Sequence, residues 1–366
     1  MADISLERFT RGMKVFYEKA FNTLVGGKKG IDEFLYPSVD NDLSANFAYD
    51  DLIFTPHAIA FRKPGGQAQV MPYTPGVGRV IEIPTASVAT PIDEKLRDAV
   101  IAGGEATESF ASNNGRLMTQ ILKQHAVSWN VTKWKLAIEQ LRTGIYSPLG
   151  LGGQDIGLSI DQSRSGTLAL TYNFTTVGAT MDICLKQMFN AGRAQHLPAG
   201  NLVLLLGKKF LNEFETDSTV QAKREANVAN ELLQQQMNPT ELNNVFGLYR
   251  VGMYRPAGVS SSMQICTYEV DTAFYQYKGA TAEDFLDENE AILFSLDSPR
   301  WNINRGIDIL NDAQQAVRVV GDVVYDDFTE KNPVQYNLRS SIRKAYLQAD
   351  PNTVVRCRGT FGSDSE

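Results

Sequence analysis

NGRLMTQILKQHAVSWNVTKWKLAIEQLRTG, residues 114–144, is the longest run in this chain with one clear period. Val127, Val131, Trp134, Ile138 and Leu141 recur at alternating spacings of four and three, and Met118, Ile121 and Leu122 prolong that face toward the N-terminus. Asn113 or Asn114 can cap the start with a side-chain oxygen, and Gly144 can adopt the left-handed conformation that closes the end. At about 1.5 Å per residue, such a helix is on the order of 40 Å long. The opposite face carries Lys123, Lys133, Lys135, Glu139 and Arg142, which is too polar for a membrane span. The reading is a spine helix with β-rich segments hanging from both ends.

Upstream, residues 50–92 combine the strand-like runs Leu52-Ile53-Phe54 and His57-Ala58-Ile59-Ala60-Phe61 with a second strand, Arg79-Val80-Ile81-Glu82-Ile83. Prolines 64, 72, 75, 84 and 91 each lack a ladder donor and keep this region out of a sheet interior. A two-stranded ribbon with so little core is marginal alone. Its apolar residues, Val70, Met71, Tyr73, Val77, Val80, Ile81 and Ile83, are therefore expected to lie against another surface, in the same chain or in another subunit. Residues 4–24 set Leu6, Phe9, Met13, Tyr17, Ala20 and Leu24 at helical spacing, and residues 30–46 read as a connecting segment.

Downstream, 156–160 and 167–172 read as a hairpin around Ser163-Arg164-Ser165-Gly166, and 180–192 as a helix. The run LVLLL at 202–206 has the composition of a strand buried on both faces. A polar helix is expected at 220–237, stopped by Asn238-Pro239, with strands at 248–254, 263–269 and 291–295. A short helix is expected at 308–317, a solvated turn at Asp326-Asp327, and a closing strand at 353–357.

With 366 residues, 43% of them apolar and 21% charged, the chain can build one large or two ordinary cores of a soluble protein. A net charge of −7 argues against a protein that grips nucleic acid over a broad basic face. Cys184, Cys266 and Cys357 are odd in number and far apart, which favours a reducing compartment and no disulfide framework. The opening MADISLERF has acidic residues where a secretory signal needs a basic and then an apolar run, so a cytoplasmic chain is expected.

Motifs for chemistry fail on spacing. Leu206-Gly207-Lys208-Lys209 imitates the end of a phosphate loop, but six residues separate Gly200 from Gly207 where that loop has four, and Lys209 occupies the Ser/Thr position. Gly150-Leu151-Gly152-Gly153 lacks the preceding strand and the third glycine of a dinucleotide turn. His57, His125 and His196 are not paired at metal-ligand spacing, and His125 reads as a partly exposed spine residue. There is no Gly-x-Ser-x-Gly elbow and no calcium-loop pattern. None of these stretches reads as an active site, so no catalytic residue, metal or cofactor is expected.

Four short stretches, taken in order, carry a resemblance: Tyr73-Thr74-Pro75-Gly76; Leu202 to Gly207 followed by a helix; Phe285-Leu-Asp-Glu-Asn-Glu-Ala-Ile-Leu293; and Ala345-Tyr-Leu-Gln-Ala-Asp-Pro-Asn352. With the sequence of arm, proline-marked ribbon, long helix, hairpin, α/β insertion and terminal strand, they resemble the major capsid proteins of tailed phages with the Hong Kong 97-like fold. Within these the chain is similar to the phage lambda major head protein family, although Asp287 stands where that family carries proline. The resemblance implies an α+β fold with an N-terminal arm at 1–49 and an extended loop at 50–92 that reaches over an adjacent subunit. It implies a peripheral domain from 93–175 and 335–366, with its spine helix at 114–143, and an axial domain at 176–334.

The implied function is a head protein that self-assembles into pentamers and hexamers of an icosahedral shell around a double-stranded DNA genome. The implied partners are further copies of itself, a scaffold or decoration protein, a portal, and packaged DNA held by weak non-specific contact, with no membrane. The implied location is the virion, after assembly in the host cytoplasm. In this reading Val70, Met71, Tyr73, Val77, Val80, Ile81 and Ile83 become intersubunit contacts. A host-encoded compartment shell of the same fold and a cytoplasmic enzyme with an unrecognised site are the other readings.

Overall fold

The apolar run Leu202–Leu206 is the centre of a six-stranded sheet, and all five of its side chains are buried. The strand order is Ala169–Asn173, Val354–Thr360, Glu290–Ser295, Leu202–Leu206, Met263–Tyr268 and Leu248–Tyr254. Both faces are covered. Val203, Leu205, Ile292 and Phe294 pack in one cluster with Trp134, Ile138 and Leu141 of the spine helix. Leu202, Leu204, Leu206 and Leu293 pack in another with the helices Met181–Ala194 and Lys208–Thr216. Alternation puts successive residues of one strand into different cores, so no position is left to be polar.

The computed structural model describes residues 30–51, 77–92, 113–146, 148, 160–162, 168–223, 248–268, 274–275, 282–310, 316–331, 334–348 and 350–362. The helix expected at 4–24, the strands at 52–61 and nearly all of the helix at 220–237 lie outside these residues. The spine runs Asn113–Thr143 and closes as expected at Gly144, whose φ of 77° suits a residue without Cβ. Thr180 caps the helix Met181–Ala194 by accepting the Ile183 amide, and Asp182 lies in its first turn.

Several expectations are corrected. Residues 30–46 are not a plain connector. Ile31–Leu35 is a helical turn that buries Ile31, Phe34 and Leu35 against the spine, and Ser38–Asp42 is a strand parallel to Arg300–Arg305. The helix expected at 308–317 is instead the hairpin Ile307–Leu310 with Ala316–Val319, because Ile307 and Ile309 alternate into a small core with Val324. Asp326 is not in a turn but in the strand Val324–Lys331, buried and bonded to Arg339. The strands Ile160–Asp161 and Ala169–Asn173 do not pair with each other. The first pairs with Ile145–Tyr146 and the second runs parallel to Val354–Thr360.

The sheets draw on strands from distant parts of the chain. Val354–Thr360 belongs to the six-stranded sheet, whereas Arg300–Arg305 and Val324–Lys331 pair with Lys344–Gln348 and Val334–Ile342.

Candidate functional site

Asn46–Asp51 and Val77–Glu82 pair antiparallel and, among the described residues, form a two-stranded sheet. Val77, Val80 and Ile81 stand on the second strand, opposite Asp51, Ala48 and Phe47. Val70, Met71 and Tyr73 lie outside the described residues. Ile83 is a correction: it is fully buried with Phe47, Tyr146, Ile303, Ala345 and Leu347 of its own chain, so it anchors the ribbon and offers no surface to a neighbour. The Arg305 guanidinium lies 5.0 Å from the Phe47 ring centre, and Arg343 reaches Glu82 at 3.1 Å. Past Pro84 the chain leaves the ribbon. Among the described residues Ala86–Ile92 is the outer strand of a three-stranded sheet, with Pro91 opposite Asn337 on that edge strand, the kind of strand to which proline is confined.

A second surface surrounds the strand Ser38–Asp42, which is held on one side by Arg300–Arg305 and has side chains open to solvent on both faces. Two links fasten it, Asp40 to Arg305 at 2.8 Å and Asn41 to Asn304 at 2.8 Å. Val39 is 58% exposed and nearby Leu43 is 56% exposed. On the spine, Val127 is 43% exposed, although the sequence pattern sets it on the apolar face. These side chains leave apolar area in water beside an edge strand.

The spine is bound to the rest of the chain by polar groups that its periodicity hides. Lys133, expected on the solvated face, is 2% exposed, and Lys344 is equally buried. Asp322 takes Lys133 at 2.9 Å and also bonds Lys344, while Asp32 lies 4.0 and 3.8 Å from the same two ammonium groups. Asp322 is 48% exposed; the partial desolvation it suffers works against its charge, but Lys133 and Lys344 more than offset it and hold the carboxyl well below the usual range. His125, expected to be partly exposed, is 4% exposed. Its Nε2 is 2.8 Å from Thr90 Oγ1 and its Nδ1 is 2.9 Å from Ser340 Oγ, which also accepts from Trp129 Nε1. Burial pushes the imidazole pKa down and keeps the ring neutral. At the spine's other end Glu290, buried in the six-stranded sheet, receives Arg142 at 3.3 Å and Arg356.

The apparent phosphate loop is a packing corner. Lys208 pairs with Asp284 at 2.8 Å and Lys209 with Glu288 at 2.6 Å. A Cβ on Gly207 would lie 2.3 Å from the Asp287 carbonyl oxygen, which is why this position is glycine. Among the described residues no group of three His, Cys, Asp or Glu side chains can hold a metal ion, and no helix is long and apolar enough to cross a membrane.

No family model and no curated protein sequence matches the chain. Solved structures do match. A chain described as the capsid protein of a prophage from E. coli CFT073 aligns with a TM-score of 0.55 and 11% identity, over 96% of this chain and 99% of its own. The capsid of Ralstonia phage GP4 aligns at TM-score 0.46 and 11% identity, over 90% of this chain and 87% of that one. The mature capsid of bacteriophage PhiM1 aligns at 0.45 and 11%, over 91% and 87%. The prophage protein, matched nearly end to end, carries the assignment: this chain has the α+β, Hong Kong 97-like fold of phage capsid proteins.

Proposed function

We propose that the chain is a major capsid subunit that assembles into pentamers and hexamers and closes an icosahedral shell around the double-stranded DNA of a tailed phage. The observation that carries this reading is the ribbon Asn46–Asp51/Val77–Glu82, a two-stranded sheet rooted in its own subunit by Phe47 and Ile83. A ribbon of this kind gains its stability from what it lies on. In the shell it reaches over an adjacent subunit, where Val70, Met71, Tyr73, Val77, Val80 and Ile81 meet the neighbour's spine near Val127. The N-terminal arm, residues 1–49, the extended loop and the peripheral and axial parts then divide the work of assembly, and the protein acts as a structural component rather than an enzyme. The acidic balance suits a container wall that touches its DNA weakly. Scaffold or decoration protein and portal are the expected partners, and the virion the final location after assembly in host cytoplasm.

The test is co-expression of the protein with its neighbouring genes, followed by sedimentation and electron microscopy. Closed shells are expected from the full chain, and folded subunits without shells when Gly65 to Gly78 is replaced by a short glycine bridge. A compact monomer from the full chain under these conditions overturns the reading. So does normal assembly of the deletion variant, as far as the loop is concerned.

A further inference from the structure

The three cysteines, scattered in sequence, are not scattered in space. Cys184 on the helix Met181–Ala194 and Cys357 on the strand Val354–Thr360 bring their sulfurs within 3.8 Å, across a sequence separation of 173 residues. Both are 1% exposed, in a core that also holds Leu168, Leu185, Met188 and Val355. Cys266 is buried in the other core, on the opposite face of the sheet. None of the three is in a disulfide.

We propose that Cys184 and Cys357 are a latent disulfide site, closed by a small peroxide after the subunit has folded. The balance is simple. Peroxide oxidises one sulfur to a sulfenic acid and releases one water; the second thiol then displaces the hydroxyl as another water, leaving one S–S bond and no free acid. Closure draws the sulfurs from 3.8 Å to the roughly 2.05 Å of a disulfide, a movement within the reach of side-chain rotation. The shared hydrogen bond and burial hold the Cys184 thiol protonated, so the reaction is slow and the reduced pair survives folding in a reducing compartment. Once closed, the bond staples the helix to the terminal strand over a long loop, where chain-entropy arguments give the largest stabilisation. The pair lies within one chain, so the inference stands independently of the shell reading.

The experiment treats the purified full-length protein with hydrogen peroxide, then unfolds it in denaturant with an alkylating reagent and no reductant. The expected result is one alkylated cysteine instead of three, a chain mass lower by two hydrogens before alkylation, and a peptide linking Cys184 to Cys357. The melting temperature should rise by roughly 5–10 °C and return on reduction. Cys184→Ala and Cys357→Ala should each remove the rise, and Cys266→Ala should keep it. Three alkylatable thiols after peroxide, a link through Cys266, or sulfinic acid without a link would each overturn the proposal. The wild-type mass measurement decides even if a variant fails to fold.

Discussion

The six-stranded sheet and the strand Ser38–Asp42 are both made of hydrogen-bonded β-structure, yet they depend on different things. The central strand of the sheet, Leu202–Leu206, is paired on both sides and buried on both faces by helices of its own chain. Among the described residues Ser38–Asp42 is paired on one side only, and it is exposed on both faces and fastened by Asp40 and Asn41. The first has everything it needs within one subunit. The second is ordered but leaves the apolar side chain of Val39, and Leu43 just beyond it, in water. The difference separates residues buried in the core of the chain from residues that, under the proposed function, would be free to meet a second copy.

The sharpest way to break that comparison is to place one carboxylate in each region. Leu204→Asp puts an acid between two cores with no partner, at a cost of several kcal/mol against a total stability of about 5–15 kcal/mol. The expected outcome is no soluble folded subunit. Leu43→Asp and Val39→Asp change side chains already more than half in water, so the subunit's unfolding free energy should move by less than about 0.5 kcal/mol. Shell formation should nonetheless be lost. If circular dichroism and urea titration find the Val39 or Leu43 variant unfolded, the distinction between the two regions fails.

A smaller effect is expected where the spine is tied to the six-stranded sheet. Glu290→Ala leaves Arg142 and Arg356 without their shared carboxylate in a site open to solvent only on the arginine side. Denaturant unfolding should register a loss of about 3 kcal/mol, toward the lower end of what breaking a buried pair costs. Glu290→Gln, which keeps the shape and the acceptor oxygen, should lose less. Equal losses in the two variants would show that packing, not charge, holds the spine's end to the sheet.

How much of this was legible in sequence follows the same division. Leu202–Leu206, the spine and the helix after Thr180 were readable because pattern and partners are local: a period, a cap, a stop. The spine's buried arc was not readable. Lys133 finds Asp322 across 189 residues, and His125 finds Ser340 across 215. A buried Lys or His with a distant partner looks in one-dimensional sequence like a solvated one. Val127 failed in the opposite sense, apolar by type and left open by the fold. The hairpin Ile307–Leu310/Ala316–Val319 was mistaken for a helix because Ile307 and Ile309 reveal their alternation only once Val324 supplies the core. For the candidate surface, the sequence marked the ribbon's apolar residues but not that Ile83 folds back under its own root. Nothing local distinguishes an inward isoleucine at the end of a strand from an outward one.

The smallest effect expected is a pH dependence, and it tests which region loosens first. His125 lies between Thr90, just downstream of the ribbon, and Ser340, with its folded-state pKa lowered by burial from the ordinary 6.5. Between the two pKa values the unfolded chain binds a proton that the folded chain refuses. Stability therefore rises with pH through this window and is lost as pH falls below about 6.5, by at most about 1.4 kcal/mol per pH unit from this one group. Urea unfolding at pH 7.5 and 5.5 should show a larger acid loss for the wild type than for His125→Gln, which cannot take up the proton. Subtracting the two removes the contribution of the carboxylates common to both. Because His125 bonds Thr90 of Ala86–Ile92 and Ser340, neither of which is in the six-stranded sheet, amide exchange at pH 5.5 should quicken in Ala86–Ile92 before it does in Leu202–Leu206. Simultaneous quickening of both strands would mean that the root of the ribbon and the central sheet open as one unit, and that His125 reports on the whole subunit.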